Sequence, residues 1–194
     1  MKELGVGMAV LVFFVCNSTA RAQSPTEPIV AKQRSRSYQI QPDGSQILKS
    51  EQLGMFYRCS SGASMNTMGW LATSSDDEGN TYELNLNTKL ARLVAHQEPL
   101  HELIKTKILP ESIKGYARVN GLDCAVQTAL LNGKPAGKSY LYLPYGLWVK
   151  TEHTNPPANS ILTVRELYDI EVREPDPSLV RIPEGYVIDN EPEQ

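Results

Sequence analysis

Hydrophobic and polar residues alternate along much of the chain, in short runs that are separated by glycine, proline and asparagine. The run at residues 82–86 and the run at residues 147–152 follow a period of two, and residues 161–172 form a longer run of this kind. A period of two is typical of strands that bury one face. Asn120-Gly121 tolerates positive φ at both central positions of a tight hairpin turn. The pattern therefore predicts antiparallel strands rather than alternating strands and helices.

Turn residues recur at the short spacing that is typical of an all-β sheet. Besides Asn120-Gly121, they predict turns at residues 42–44, 76–80, 87–89, 132–133, 144–146 and 155–157. We therefore predict a mainly β fold built from a single strongly curved antiparallel sheet, because a strand as long as residues 161–172 suits strong curvature.

One segment breaks the β pattern. Apolar residues recur at helical spacing over residues 100–108, and Pro110 stops the run, so one short amphipathic helix is predicted there. His101-Glu102 resembles the start of the zinc-protease motif HExxH. Lys105 stands where the second histidine is required, so the motif is not met.

The N-terminus resembles a secretory signal. Lys2 precedes an apolar run over residues 4–15, and residues 20–22 form an A-x-A cleavage site. The run is shorter than the roughly 20 residues of a transmembrane helix. The prediction is a removed signal peptide at residues 1–22 and an exported protein, periplasmic or extracellular, with no transmembrane span. Lipidation of Cys16 is the alternative, although Val15 is larger than the residue that usually precedes such a cysteine.

Composition then divides the exported part. Residues 23–36 are polar and basic and are predicted to form a flexible N-terminus, residues 37–188 to form the β-rich domain, and residues 189–194 to form a disordered tail. Without residues 1–22 the chain has 17 basic and 21 acidic side chains and a net charge of −4. That balance offers no electrostatic basis for nucleic-acid binding.

Candidate chemistry is sparse. Cys59 and Cys124 remain after export, and two readings stay open: a disulfide, or two separate buried thiols. His96, His101 and His153 are scattered, and no nucleophile, phosphate-binding or metal-binding motif is present, so neither a metal nor a cofactor is predicted. The prediction is a non-enzymatic protein. A hydrolase is the alternative, and it requires His96 or His153 beside a carboxylate in a cleft.

Three segments carry a resemblance to a known group. VNGLDC at residues 119–124, YLPYGLWVKTE at residues 142–152 and REPDPSLVRIPEGY at residues 173–186 resemble the C-terminal half of exported bacterial proteins of a domain-of-unknown-function type. These proteins are themselves similar to the lipoprotein carriers LolA and LolB. The resemblance covers residues 36–188 and is strong only in the last 75 residues of that range, where Leu179-Val180 replaces the usual Leu-Phe.

The resemblance implies an incomplete, half β-barrel around an apolar cavity, with lipid, lipoprotein or an envelope protein as partner. The cavity candidates it suggests are apolar and aromatic: Phe56, Trp70, Leu84, Tyr142, Trp148, Val164 and Tyr168. The alternative is that these residues only fill the core. A carrier should show a cavity of several hundred Å³. An interaction or sensor module should instead show a filled barrel with an exposed apolar patch or an open strand edge.

Overall fold

The computed structural model describes residues 27–96, 113–131, 134–154 and 161–189, and twelve strands in this part of the chain form one open sheet. Across the sheet the order is β12-β6-β5-β4-β3-β2-β1-β11-β10-β9-β8-β7. The strands are β1 Ile29–Ile40, β2 Gln46–Arg58, β3 Ser64–Met68, β4 Leu71–Ser75, β5 Asn80–Asn85, β6 Leu90–His96, β7 Ile113–Val119, β8 Leu122–Leu131, β9 Lys134–Tyr142, β10 Leu147–Thr154, β11 Ile161–Val172 and β12 Val187–Asp189. The predicted single, mainly antiparallel sheet is confirmed.

Sequence neighbours pair as hairpins, and the turn chemistry explains why. Asn120 and Gly121 have φ values of 49° and 83°, as a two-residue hairpin turn requires. Residues 42–44 lie in the turn between β1 and β2, residues 76–79 join β4 to β5, and the 3₁₀ helix Leu143–Tyr145, capped by Gly146, lies between β9 and β10. The predicted turns at 132–133 and 155–157 and the predicted helix at 100–108 lie outside the described residues.

The sheet curls strongly between β11 and β7. Three strand spacings separate β11 from β8, which is about 14 Å in a flat sheet. Yet the Asn120 side chain, in the turn between β7 and β8, donates a 2.6 Å hydrogen bond from Nδ2 to the carbonyl oxygen of Leu167 on β11. Only a sheet that folds over toward itself brings these atoms together. We call the concave side the inner face and the other side the outer face.

Each face carries its own hydrophobic core. The inner core lies at the curled end, and its buried members are Ile29, Ala31, Val119, Cys124, Leu147, Val149 and Leu167. The outer core lies over the β2–β6 end, and its buried members are Cys59, Met65, Ala72, Leu84, Ala91 and Val180. A 3₁₀ helix, Pro177–Val180, covers the outer core, and Ser74 Oγ donates to the Val180 carbonyl at 3.3 Å.

The two cysteines are unpaired. Cys59 belongs to the outer core and Cys124 to the inner core, and both are buried free thiols. The disulfide reading is therefore wrong, because the sheet itself separates the two side chains, and the reading as two buried thiols is correct. Burial, together with the nearby carboxylate of Glu174, raises the pKa of Cys59 to about 11.

Cys59 is expected to alkylate very slowly in the folded protein at pH 8. With a pKa of about 11, only about a thousandth of this thiol is the reactive thiolate at that pH. The rate should rise about tenfold per pH unit toward pH 11. Peptide mapping after iodoacetamide treatment measures this, and denaturation without reductant should label both Cys59 and Cys124 fully. A disulfide-linked peptide pair would contradict the structure.

The predicted flexible N-terminus is wrong for residues 29–36. These residues belong to β1, which lies between β2 and β11 and pairs with both. Ile29 and Ala31 are buried in the inner core, and that burial outweighs the polar composition of the segment. At the other terminus, Asp189 was predicted to begin a disordered tail. It belongs instead to β12, where it pairs with Arg92 on β6. Residues 1–26 and 190–194 lie outside the described residues.

Candidate functional site

A cavity of about 320 Å³ opens on the inner face beside the inner core. Its lining residues belong to five strands that are consecutive in the sheet, β3, β2, β1, β11 and β10, and to Gly146 before β10. The residues that line it are Gln33, Phe56, Arg58, Ser64, Asn66, Gly146, Leu147, Trp148, Val149, Lys150, Thr151, Arg165, Glu166 and Leu167. The cavity is therefore built from strands that are distant in the sequence.

Apolar side chains form one wall of this cavity. Leu147, Val149 and Leu167 are buried members of the inner core, and Phe56 packs against that core while remaining partly exposed. They converge because alternate residues of β2, β10 and β11 point to the same face. The wall offers a hydrocarbon surface without a polar group.

Arg58 lies at the bottom of the cavity and is only 1% exposed. Its guanidinium donates to main-chain carbonyls of three residues: Glu27 at 3.0 and 3.1 Å, Tyr145 at 2.7 Å and Gly146 at 3.4 Å. No carboxylate of the described residues forms an ion pair with it. Burial lowers the pKa of Arg58 to about 10, so at neutral pH the cavity contains a buried cation.

Two side-chain amides in the cavity wall lack hydrogen-bond partners. Gln33 Oε1 and Asn66 Oδ1 are both buried with no partner, and Gln33 is only 5% exposed. Buried polar atoms in proteins are nearly always hydrogen-bonded, and an unsatisfied one costs about 1–3 kcal/mol. Both residues line the cavity, so their side chains have hydrogen-bonding capacity beside it that no protein group uses.

The charges of the two faces differ. On the outer face, Arg34 and Arg36 both donate to Glu166 Oε1, and Lys150 Nζ lies 2.6 Å from Glu152 Oε1. On the inner face, Arg165 pairs across the sheet with Ser35 and Thr151 and so points to the cavity side. The register places Glu166 and Lys150 on the outer face, so the charged side chains of the cavity lining that point inward are both arginines, Arg58 and Arg165.

The structure separates the seven predicted cavity residues. Phe56 and Trp148 line the cavity. Tyr142 packs against the inner core, with its ring 5.0 Å from that of Tyr145 in a T-shaped arrangement. Trp70 is exposed next to the β3–β4 turn.

The other three predicted residues lie on the opposite side of the sheet. Leu84 is a member of the outer core. Val164 and Tyr168 belong to the outer face of β11, where Arg34 lies 5.2 Å from the Tyr168 ring centre. These positions alternate as expected for strands, but the alternation alone does not say which face is concave.

The polar residues of the cavity were missed by the sequence analysis. Arg58, Gln33 and Arg165 each lie two positions from an apolar inward residue, Phe56, Ala31 and Leu167 respectively, and a polar residue beside a buried apolar one is the signal that could have found them. For Gln33, that signal required recognising residues 29–36 as a strand.

The histidine chemistry required by a hydrolase is not assembled in the described part of the chain. His96 Nδ1 lies 2.8 Å from Asn80 Oδ1, and no hydrogen bond or ion pair joins either His96 or His153 to a carboxylate among the described residues. His101 lies outside them. In the same residues no group of three potential metal ligands is present, and no helix is long and apolar enough to cross a membrane.

Solved structures share this fold. An uncharacterised conserved protein from Thermus thermophilus matches with 10% identity over 86% of this chain and 91% of its own, at a TM-score of 0.53. PNGF-II matches with 8% identity over 84% of this chain, at a TM-score of 0.52, and the chain spans only 32% of its length. At such identities the likeness shows the fold alone.

A LolA superfamily protein from Nitrosomonas europaea also matches, with 9% identity over 81% of this chain and 91% of its own, at a TM-score of 0.40. No family model and no curated protein matches the sequence.

Proposed function

We propose that this chain is an exported, non-enzymatic binding protein that holds a small amphiphilic ligand in the cavity of its inner face. The observation that carries the proposal is the composition of that cavity. A wall formed by Phe56, Leu147, Val149 and Leu167 faces unpartnered amides and a buried cation in one space of about 320 Å³. Apolar walls with a few placed polar groups are typical of small-molecule sites.

The size of the cavity limits the ligand. Ligand pockets run from roughly 300 to 1,000 Å³, and this cavity lies near the lower limit. One short hydrocarbon segment with a polar head matches that volume better than a lipid with several long acyl chains. The polar lining supports the same choice, because a purely hydrocarbon ligand would leave the amides of Gln33 and Asn66 unpaired.

An open strand edge favours a second candidate, an envelope protein-interaction module. Among the described residues, positions 46–53 of β2 pair only with β1. Ile47, Leu48 and Leu53 in this stretch are exposed apolar residues. Such an edge can accept an extended segment of another protein as an additional strand.

Native mass spectrometry of the protein purified from its own cells separates the two candidates. A discrete small-molecule adduct that is released by denaturation is the expected result for the binding protein. A stoichiometric protein adduct with no small molecule would favour the interaction module.

The variant Thr151→Trp is expected to lower adduct occupancy at least about tenfold, because the indole fills the cavity that Thr151 lines. Thr163→Trp is the matched control. Thr163 lies on the same face and two strand positions from Arg165, but it does not line the cavity, so its occupancy should equal that of the wild type. Circular dichroism checks that both variants fold. Equal occupancy in all three proteins would refute the cavity as the binding site.

A further inference from the structure

The charge of the cavity specifies the ligand further, and this inference rests on the proposed function. We propose that the ligand is an acidic amphiphile, with a carboxylate or phosphate head that contacts Arg165 and the amides of Gln33 and Asn66, and a short hydrocarbon part against Phe56 and the inner core.

The sign of the charge is the first step. The chain as a whole has a net charge of −3, yet the charged side chains that point into the cavity are Arg58 and Arg165. The carboxylates near this region, Glu152 and Glu166, are engaged on the outer face by Lys150, Arg34 and Arg36. An anion entering the cavity therefore meets two arginines, and the carboxylate that acts on Arg58, that of Glu27, is not part of the lining.

Arg58 and Arg165 have different roles in the proposed site. Arg58 is held by main-chain carbonyls that satisfy most of its N–H groups but do not neutralise its charge. The Glu27 carboxylate acts on this charge electrostatically without forming an ion pair, so the buried cation still favours a further negative charge nearby. Arg165 is exposed, and none of the described residues forms an ion pair or hydrogen bond with its side chain, so its guanidinium is free to bind an oxyanion at the cavity rim.

The amides complete the head site. Each primary amide has two N–H donors and an acceptor oxygen, and a half turn about its last side-chain bond exchanges their positions. Gln33 and Asn66 have no protein partner that would resist this turn. Their N–H groups can therefore donate to the oxygens of an acidic head, while their own oxygens accept from a hydroxyl or from water that the head carries with it.

The apolar wall sets the direction of the ligand. Leu147, Val149 and Leu167 belong to the inner core, so the hydrocarbon part lies toward the curled end of the sheet. The head then lies beside Gln33 and Asn66, which pair across the sheet with Leu167 and Phe56 of the apolar wall. A purely polar ligand would leave the apolar wall without a contact, and a purely hydrocarbon ligand would leave the polar groups without hydrogen bonds.

Isothermal titration with probes of one chain length tests the inference. The probes are octanoate, octyl phosphate, octanol and octylammonium, with acetate and inorganic phosphate as heads that lack a tail. Octanoate or octyl phosphate should bind about tenfold or more tightly than octanol, because hydrogen bonds to a charged head are stronger than those to a hydroxyl group, and octylammonium should bind weakest. The better of the two acids tells whether the head is a carboxylate or a phosphate.

Arg165→Gln should remove the advantage of the acid over octanol and leave octanol binding unchanged. Arg173→Gln makes the same change of charge on an arginine that pairs with Glu171 outside the cavity, and it should behave as wild type. Gln33→Leu should weaken the binding of the acids more than the binding of octanol, because it removes donors to the acidic head.

The outcomes separate the two proposals. If octanol binds wild type as tightly as octanoate, or if Arg165→Gln changes nothing, the acidic head is wrong while the binding protein stands. If acetate or phosphate binds as tightly as the tailed acids, the ligand is a small anion and not an amphiphile. If none of the four octyl probes binds, both the acidic-ligand inference and the proposed binding function are wrong.

Discussion

Replacing Arg58 with methionine is expected to lower the free energy of unfolding by about 3–5 kcal/mol. Methionine fills similar space but donates nothing, so the carbonyls of Glu27, Tyr145 and Gly146 lose their donor inside the protein. Each carbonyl that stays buried and unpaired costs about 1–3 kcal/mol. Part of this loss is offset because the variant no longer buries a charge.

The same substitution should loosen the curl of the sheet. Arg58 lies at the end of β2 and donates to Tyr145 and Gly146 in the connection between β9 and β10. In the strand order, β1 and β11 lie between β2 and β10. These bonds and the Asn120–Leu167 bond are polar links across the concave side. We therefore expect Arg58→Met to reduce ligand binding even at temperatures where the variant is folded.

Urea denaturation followed by circular dichroism measures the change in stability. Arg58→Lys keeps the charge but cannot reach all three carbonyls, so its loss should be intermediate. Arg173→Met, at an exposed arginine outside the cavity, should change the free energy of unfolding by less than about 0.5 kcal/mol. A value for Arg58→Met within about 1 kcal/mol of wild type would show that the buried guanidinium does not hold the curl.

Gly54→Ala and Gly137→Ala are each expected to destabilise the protein by about 3 kcal/mol. A Cβ at Gly54 would lie 1.7 Å from the carbonyl oxygen of Thr67, and one at Gly137 would lie 1.7 Å from that of Glu152. Both oxygens belong to the backbone of the neighbouring strand, so the strands must move apart to accept the methyl group. Glycine within a strand is typical where another backbone approaches this closely.

Gly44→Ala is the control for this pair. Gly44 has a φ of 83° and nothing within 4 Å of an added Cβ, so alanine meets only the backbone strain of the left-handed region, about 1–2 kcal/mol. Urea midpoints of the three variants compare crowding with strain directly. Equal midpoints for Gly54→Ala and Gly44→Ala would mean that the β2–β3 contact is not tight in solution.

The fold explains how a chain with sparse catalytic or binding motifs assembles a site. Residues of β1, β2, β3, β10 and β11 line one cavity because the sheet curls, although the first of these strands lies more than a hundred residues from the last. The outer-face ion pairs hold Glu166 and Glu152 on the opposite side, while Arg58 and Arg165 lie on the cavity side. The electrostatic asymmetry of the site is thus a product of strand register.

Much of the strand pattern follows from local sequence. The alternation over residues 161–172 predicted β11, and Asn120-Gly121 predicted the β7–β8 hairpin, because period-two patterning and positive-φ turns depend on residues close together in the chain. The resemblance in the last 75 residues supplied the expectation of a half-barrel. Residues 29–36 escaped this reasoning, since their burial comes from β2 and β11 on either side rather than from their own composition.

The sequence by itself determined that this protein is built from strands, where most hairpins turn and that two cysteines could face each other or stay apart. Only the tertiary structure decided that they stay apart, that Leu84 and Tyr168 face away from the cavity, and that Gln33, Arg58 and Arg165 face into it. The physical reason is that alternation assigns residues to two faces but does not say which face becomes concave. That choice is made by contacts between distant strands, such as Arg58 with Tyr145 and Asn120 with Leu167.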